Sequence, residues 1–427
     1  MLTVAFLANE FPSPIERYVS DEIEELERRG VHVIAGSVRR PKEHADLMPE
    51  VVLQCFEPSA LRRAAWLLIR RWRRIAPLFR RIAFQGNEGF RQRLKAVAHT
   101  LLGACYAEKL EGRGLDHIHV HHGYFGSWVG MVAARLLGVP FSITLHGSDL
   151  LLHATYLDTK LEHCAFCRTI SEYNRRYVLQ HYPRVAPEKV FVLPLGVEVP
   201  EPGDFRAELK AKDDPILLLA VGRLHAVKDH AFLVRACANL LARDVAFRCL
   251  IAGEGPEHSR LESMIRALDL EGRVTLLGHV QPAQRNSLYA KADIVVLTSR
   301  SEGVPLVLME AMARGKIVLA PAITGIPELV ISGKTGFLYE PGSIDDFVAR
   351  LLFLRAQMQN SIDPHELHAH VLARGLHLEW IRREARMHVK QNFNRHKNLQ
   401  LLAQLFLQRI APQTESTPDE SLVLQQI

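Results

Sequence analysis

A chain of 427 residues is too long for one ordinary hydrophobic core and suits two domains of roughly 200 residues each. Its 48% hydrophobic and 23% charged residues are those of a globular protein, which excludes disordered and fibrous classes. The net charge of +6 points to an anionic partner, and charge alone leaves nucleic acid, phospholipid and a phosphate-bearing substrate open.

The opening MLTVAFLANEFP has no basic region before its apolar run, so it reads as a buried first strand, Leu2 to Ala8, and not as a signal peptide. An amphipathic helix follows over Tyr18–Arg29, stops at Gly30, and gives way to a strand at Val31–Ala35. Strand–helix–strand over about thirty residues implies a parallel sheet. Further strands are predicted at His117–Val120, Phe141–Leu145 and Val190–Leu193. A polar stretch, Glu198 to Asp214 with Pro200, Pro202 and Gly203, reads as a linker. A second series then begins, with strands at Ile216–Val221, Phe247–Ala252, Val274–Leu277, Ile294–Leu297 and Ile317–Ala320. Beyond Met358 the composition is helical, with Trp380 and Phe393 as expected anchors, and from Gln413 the chain reads as a frayed tail.

The expected fold is therefore α/β: two Rossmann-like, doubly wound domains facing across a cleft, with ligand sites beyond the carboxyl ends of the strands. The expected divisions are 1–197 with a basic insertion at about 57–97, then 198–375, C-terminal helices over 376–412 packing back toward the first domain, and a tail over 413–427. No apolar stretch has the length to span a bilayer. The cysteines Cys55, Cys105, Cys164, Cys167, Cys237 and Cys249 are spread along the chain and read as reduced thiols. Cys164 and Cys167, beside His163, have half the spacing of a zinc site but no second half, so they read as helix-packed thiols. His117, His119, His121 and His122 read as strand and edge histidines.

The strongest site signal is Glu302 with Glu310, eight positions apart after the strand Ile294–Leu297. Pro305 suits a helix start and Gly315 its stop, which puts Glu302 on the strand-to-helix loop and Glu310 on the helix. Free backbone N–H groups at such a helix start attract anions or hydroxyl-rich groups, and carboxylates accept paired hydroxyls. The second signal is Gly222-Arg223 followed by Lys228, just after the strand Ile216–Val221. Gly222 permits a close turn, and the two cations suit a diphosphate leaving group on which negative charge grows. Solvated surface cations and an ordinary helix glutamate are the bland readings, which the shared sheet edge disfavours.

In these residues the chain resembles glycosyltransferase family 4, the retaining GT-B glycosyltransferases. Glu302 and Glu310 with Ala311-Met312-Ala313-Arg314-Gly315 match its E-x7-E motif, and Arg223 and Lys228 match G-R-L-x-x-x-K. The resemblance implies Arg223 and Lys228 on the donor diphosphate, Glu310 on the ribose, Glu302 on the transferred sugar, and the backbone of Gly303, Val304 and Pro305 against sugar and phosphate. Gly-Val-Pro stands where the family often has Gly-Phe-Gly. In the first half, Phe11-Pro12, Glu16, Tyr18-Val19 and Glu22-Ile23 are similar to the opening of exopolysaccharide-type members, with Ile15 and Arg17 replacing Ser and Thr. Thr144-Leu145-His146-Gly147-Ser148-Asp149 and Lys160 match later segments. The resemblance puts His146 near the anomeric carbon and Glu16, Asp149 and Lys160 on the acceptor side. It also implies no cofactor and no metal, a nucleoside diphosphate sugar (UDP-linked) as co-substrate, and retention of configuration.

Residues 61–95 carry many arginines against the single acid Glu88, interleaved with Trp66, Ile69, Trp72 and Phe79. Basic residues among aromatic and aliphatic ones are the composition of an interfacial helix, although Pro77 kinks or splits it. Arg70, Arg71, Trp72, Arg73 and Arg74 are therefore expected to touch an anionic membrane, placing the protein peripherally at the inner face of the cell membrane. No nucleic-acid-binding motif accompanies the charge. The leading expectation is transfer of a hexosyl group to a growing exopolysaccharide or a polyprenyl-diphosphate-linked glycan. A catalytically silent scaffold, or a GT-B epimerase or phosphorylase, is the rival.

Overall fold

The computed structural model describes residues 1–13, 16–39, 49–53, 58–152, 154–201, 214–359 and 378–410. Ile15, Cys55, Pro202, Gly203 and the tail from Gln413 lie outside the described residues. The chain divides into two compact units, one of residues 1–194 with 397–427 and the other of residues 195–396.

The first unit is built on strands β1 (Thr3–Glu10), β2 (His32–Arg39), β3 (Val51–Val52), β4 (His117–His121), β5 (Phe141–Leu145), β6 (Cys167–Thr169) and β7 (Val190–Val192). They form one parallel seven-stranded sheet ordered β3-β2-β1-β4-β5-β6-β7. A parallel strand covered on both faces must be apolar throughout, and Val4, Ala5, Phe6, Leu7 and Ala8 of β1 are all buried. The helix Arg17–Arg28 lays Val19, Ile23 and Leu26 on the sheet, a helical stripe at spacings of four and three. Opposite in sequence, the helix Arg395–Ile410 belongs mainly to this unit: Phe406 sits 5.8 Å from the ring of Phe6 and 5.2 Å from that of His119.

The second unit carries β8 (Ile216–Val221), β9 (Phe247–Ala252), β10 (Val274–Gly278), β11 (Ile294–Val296), β12 (Ile317–Pro321) and β13 (Phe337–Tyr339). Their order, β10-β9-β8-β11-β12-β13, is again all parallel. With the first strand central and the order reversing between β8 and β11, this is the Rossmann arrangement, whose ligand crevice opens at that reversal. The helix Leu306–Ala313 is buried on nearly all sides, and Phe393 joins the core beneath it, while Trp380 is exposed.

The thiols Cys164 and Cys167 are both buried, but Cys167 opens β6 where a helix was expected. Burial pushes the Cys164 thiol up to about 12, so it stays protonated and inert. Strands β3, β6 and β13 are short and carry no periodic run of their own.

Candidate functional site

In the second unit the chain leaves β8 through Gly222 and Arg223, and leaves β11 through Ser299 to Glu302. The two loops are stitched together at the point where the strand order reverses. Arg300 N–H donates to Val227 O at 2.8 Å, and Thr298 Oγ1 donates to Lys228 O at 3.0 Å. Arg300 Nε reaches Asp229 Oδ2 at 2.7 Å. Asp229 is itself left-handed (φ 45°) and caps the helix His230–Ala242 by accepting from Phe232 N–H. These contacts bring Lys228 Nζ to 2.5 Å from Glu302 Oε1, a half-buried ion pair. Arg223, on the same loop after β8, is exposed.

The turn at Gly222 and Arg223 rests on a third loop that sequence patterning did not flag. Leu224 N–H donates to Glu254 O at 2.8 Å, and Gly222 N–H donates to Ala252 O at 2.9 Å. Gly253 (φ 151°) and Gly255 (φ 157°) have backbones reserved for glycine, and a Cβ would lie 1.9 Å from Gly222 O and 2.3 Å from Leu224 O respectively. Their G-x-G spacing straight after β9 was the available signal.

Glu310 projects from the helix Leu306–Ala313, whose cap is Pro305, with the buried Val304 and the half-buried Gly303 just before it. Its carboxylate accepts from Tyr289 OH at 2.9 Å and lies 3.3 Å from Arg285. Burial, and then Glu310 itself, pushes the Tyr289 phenol up, so Tyr289 remains a neutral donor. Thr324 Oγ1 donates to Glu302 O at 2.6 Å and fixes that loop from β12.

In the first unit the carboxyl ends of β4 and β5 hold the rest. Asp149, fully buried, accepts Gly123 N–H at 2.7 Å, His146 N–H at 3.0 Å and Gly147 N–H at 2.8 Å. It ties the two strand ends together. Lys160 is likewise buried and donates to Gly123 O at 2.6 Å and Tyr124 O at 3.2 Å. Burial lowers its ammonium to about 7, against the pull of Asp149 and Asp158. Both side chains are buried, and their hydrogen bonds go to the backbone at the ends of β4 and β5. Glu16 is on the surface side, 3.1 Å from His122 Nε2.

His122, left-handed (φ 71°), lies among Glu16, Asp149 (3.7 Å) and Tyr18 OH (3.2 Å). Burial opposes its charge, but the Asp149 and Glu16 carboxylates outweigh that and raise it to about 9. The ring of the half-buried His146 lies 4.3 Å from that of His122 and 4.8 Å from that of Tyr18, tilted to both. Burial, then His122 and His121, drive His146 well below its usual value, so it is neutral.

Glu22, His119 and His121 have donor atoms close enough to hold a metal ion. Two of the three are already spent on the protein: His119 bonds Ser142 Oγ at 2.8 Å and Thr144 Oγ1 at 3.1 Å, and Glu22 pairs with Arg168 at 2.6 Å. A guanidinium on the carboxylate opposes a cation there. The histidine run is thus buried structure at and just beyond strand β4.

Of the residues expected at a membrane, Arg71 and Arg74 serve the C-terminus of the helix Phe125–Leu137. Both donate to Leu136 O, Arg74 at 3.0 Å, and Arg71 also pairs with Glu111 at 2.6 Å. Arg70, Trp72 and Arg73 are exposed. Pro77 sits within the helix Trp72–Phe84, which is separate from Pro58–Arg70. Among the described residues, no helix is long and apolar enough to cross a membrane.

Two Rossmann-like units in one chain, the second with its charged residues at the strand reversal, are the composition of the GT-B fold. The family model described as Glycosyltransferase Family 4 matches residues 15–200, and that described as Glycosyl transferases group 1 matches residues 203–361. The first unit thus matches a glycosyltransferase family 4 domain and the second a group 1 glycosyl transferase domain. WcaL of Salmonella typhimurium, named for colanic acid biosynthesis, is 34% identical over 39% of this chain and 42% of its own length. AmsK of Erwinia amylovora, an amylovoran biosynthesis glycosyltransferase, is 32% identical over 52% of each. The matches thus span about half the length of these relatives. In fold, the chain is similar to Anabaena Alr3699/HepE, solved with UDP, at a TM-score of 0.66 and 19% identity over 96% of this chain and 100% of that one.

Proposed function

We propose that the protein transfers a hexosyl group from a nucleoside diphosphate sugar, UDP-linked, to a hydroxyl of a growing exopolysaccharide or its lipid-linked precursor. The observation that carries this reading is the Lys228–Glu302 pair at the strand reversal of the second unit, with Arg223 exposed on the loop that carries Lys228. Lys228 and Arg223 receive the diphosphate, and Glu302, released from Lys228, accepts hydroxyls of the transferred sugar. Glu310, steadied by Tyr289 and Arg285, takes the ribose. The β-phosphate oxygen leaves the anomeric carbon and accepts the proton of the incoming hydroxyl, whose oxygen bonds to the same face, so configuration is retained. Both cations meet the growing phosphate charge, and no metal is needed. The exopolysaccharide acceptor follows from the named roles of WcaL and AmsK.

The acceptor is presented at an anionic membrane, on the inner face where the protein sits peripherally. Supporting this are helices of the first unit whose outward faces are apolar. Phe90, Leu94, Val97 and Leu101 fall on one stripe of the helix Phe90–Leu110 and are all exposed, Phe90 by 81%. Trp66, Ile69 and Trp72 are exposed on neighbouring helices, with Arg62, Arg70, Arg73, Arg80, Arg91 and Lys95 among them. The acids Glu88 and Glu108 of this region are both paired, with Arg81 and Arg63.

The test is turnover: the protein is incubated with UDP- and GDP-hexoses and membrane lipid extract, and nucleoside diphosphate release is followed. Release from one donor, dependent on the extract, supports the reading. A protein that releases none from any donor is not a transferase of this kind.

A further inference from the structure

The segment that carries Glu302 is tied to the fold unevenly. Up to Arg300 it is stitched to the loop after β8, through Arg300 N–H to Val227 O at 2.8 Å and Thr298 Oγ1 to Lys228 O at 3.0 Å. Among the described residues, the main chain of residues 301–304 makes one hydrogen bond, and it comes from the other side. Thr324 Oγ1, on the loop after β12, donates to Glu302 O at 2.6 Å. Backbone N–H groups just ahead of the helix Leu306–Ala313 can receive a ligand only if the loop does not use them in its own fold. A segment left open in this way has to be held by a carbonyl, and by a donor from elsewhere.

Thr324 reaches that carbonyl from a backbone conformation its side chain disfavours. Its φ is 47°, in the left-handed region, where a β-branched residue is an outlier. The turn around it is fixed by Ile323 N–H to Pro321 O at 2.9 Å and Ile326 N–H to Ile323 O at 3.0 Å. The next residue, Gly325, sits at an ordinary helical φ of −85°. Conformation alone would place glycine at 324 and threonine at 325, the reverse of what the chain carries. What threonine adds at 324 is a hydroxyl, and that hydroxyl is on Glu302 O. Strain of this kind persists where the surrounding structure over-determines it, and it gathers at sites that bind ligands.

We propose that Thr324 is a positioning residue, whose hydroxyl anchors the Glu302 carbonyl and so sets where the Glu302 carboxylate and the main chain of Gly303 and Val304 meet the donor sugar. The inference rests on the reading of Glu302 as the group that receives that sugar. In the free protein Lys228 also holds Glu302, by its carboxylate. Once Lys228 turns to the diphosphate, the carbonyl tether is what remains.

Three variants of the full chain separate the hydroxyl from the conformation. Thr324→Ser keeps the hydroxyl, Thr324→Gly deletes it and relieves the backbone, and Thr324→Val deletes it and keeps the branched, strained residue. Amide hydrogen exchange of residues 298–306, read by mass spectrometry without substrate, is expected to quicken about ten-fold in Thr324→Gly and Thr324→Val and to stay as in the wild type in Thr324→Ser. Thr324→Gly is expected to melt close to the wild type, because the relieved backbone offsets the lost bond, and Thr324→Val to melt lower. With UDP-hexose and membrane lipid extract, kcat is expected to fall about ten-fold or more in both Thr324→Gly and Thr324→Val, and to stay within about three-fold in Thr324→Ser. Wild-type kcat in Thr324→Gly overturns the proposal, as does a series in which kcat simply follows Tm. A loss in Thr324→Ser equal to that in Thr324→Val would mean that the methyl group packs and the hydroxyl does nothing, and overturns it too. Glu302→Ala, measured alongside, keeps the two readings apart. If it turns over normally, the assignment of Glu302 has failed, and the exchange arm decides the tether by itself: unchanged exchange in Thr324→Gly and Thr324→Val overturns it.

Discussion

Gly253→Ala perturbs the donor loop without touching any residue that would meet a ligand. The added Cβ lands 1.9 Å from Gly222 O, whereas ordinary contact begins at 3.4 Å, so about 1.5 Å of movement must come from somewhere. Gly222 is held by its bond to Ala252 O, and Gly253 by its bond to Gly278 O at 2.8 Å. The backbone at φ 151° is also closed to alanine, a strain of about 1–3 kcal/mol. Displacing Arg223 and Lys228 by about 1 Å is expected to weaken transition-state contacts by about 100-fold in kcat/KM. The matched control is Gly272→Ala, left-handed at φ 77° but with open space around it. It carries the backbone penalty of about 1 kcal/mol without moving the loop. Thermal melting and calorimetric titration with UDP are the assays. Gly253→Ala is expected to lose at least ten-fold in UDP affinity, and Gly272→Ala to keep wild-type affinity at a slightly lower Tm. Unchanged UDP affinity in Gly253→Ala, or equal losses in both, would refute the positioning role of this loop.

Lys228→Ala and Glu302→Ala are each expected to reduce turnover by about 100-fold or more while melting near the wild type, since their ion pair is at the surface of the sheet edge. Near-normal turnover in both would remove the site assignment. The folded His122, at about 9, is raised above its ordinary 6.5, so its stabilisation is complete below pH 6.5 and is lost as pH rises through 9. Lys160, lowered to about 7 from 10.5, works in the opposite sense over pH 7 to 10.5, so the sign is isolated by comparison with His122→Asn, whose residue tolerates φ 71°. The stability gap, up to about 3 kcal/mol at pH 6, is expected to narrow toward pH 9 in urea titrations, and a gap independent of pH contradicts the buried cation. Replacing Phe90, Leu94, Val97 and Leu101 by Ser is expected to abolish sedimentation with vesicles of anionic phospholipid and spare UDP affinity. Retained sedimentation at low salt would reject the apolar stripe as the contact.

The long strands were legible because each is an unbroken apolar run flanked by punctuation: Phe141–Leu145, Ile216–Val221 and Phe247–Ala252 fall where the residues place them. Strands β3, β6 and β13, of two or three residues, are defined by neighbours and not by any pattern of their own. Glu302, Glu310, Arg223 and Lys228 were legible from spacing at strand ends, and the structure brings Lys228 onto Glu302. What supports them was not. Tyr289 and Arg285 reach Glu310 from a helix more than twenty residues earlier, and Gly253 acts through the space its missing side chain leaves. The alternating His119 and His121 carry no mark of their partners, because Glu22 and Arg168 arrive from a helix and a strand far apart in sequence. The arginines of residues 61–95 looked alike, yet Arg71, Arg74 and Arg81 are committed to helix ends and ion pairs while Arg70 and Arg73 are free to face solvent.

Calorimetric titration of the full chain with UDP, GDP and their hexose conjugates, repeated with Arg223→Ala, tests the donor site most directly. Micromolar binding of UDP and of one UDP-hexose, weakened at least ten-fold in Arg223→Ala, is the expected result. Binding of no nucleotide, or binding indifferent to Arg223, would contradict a donor site at the strand reversal of the second unit.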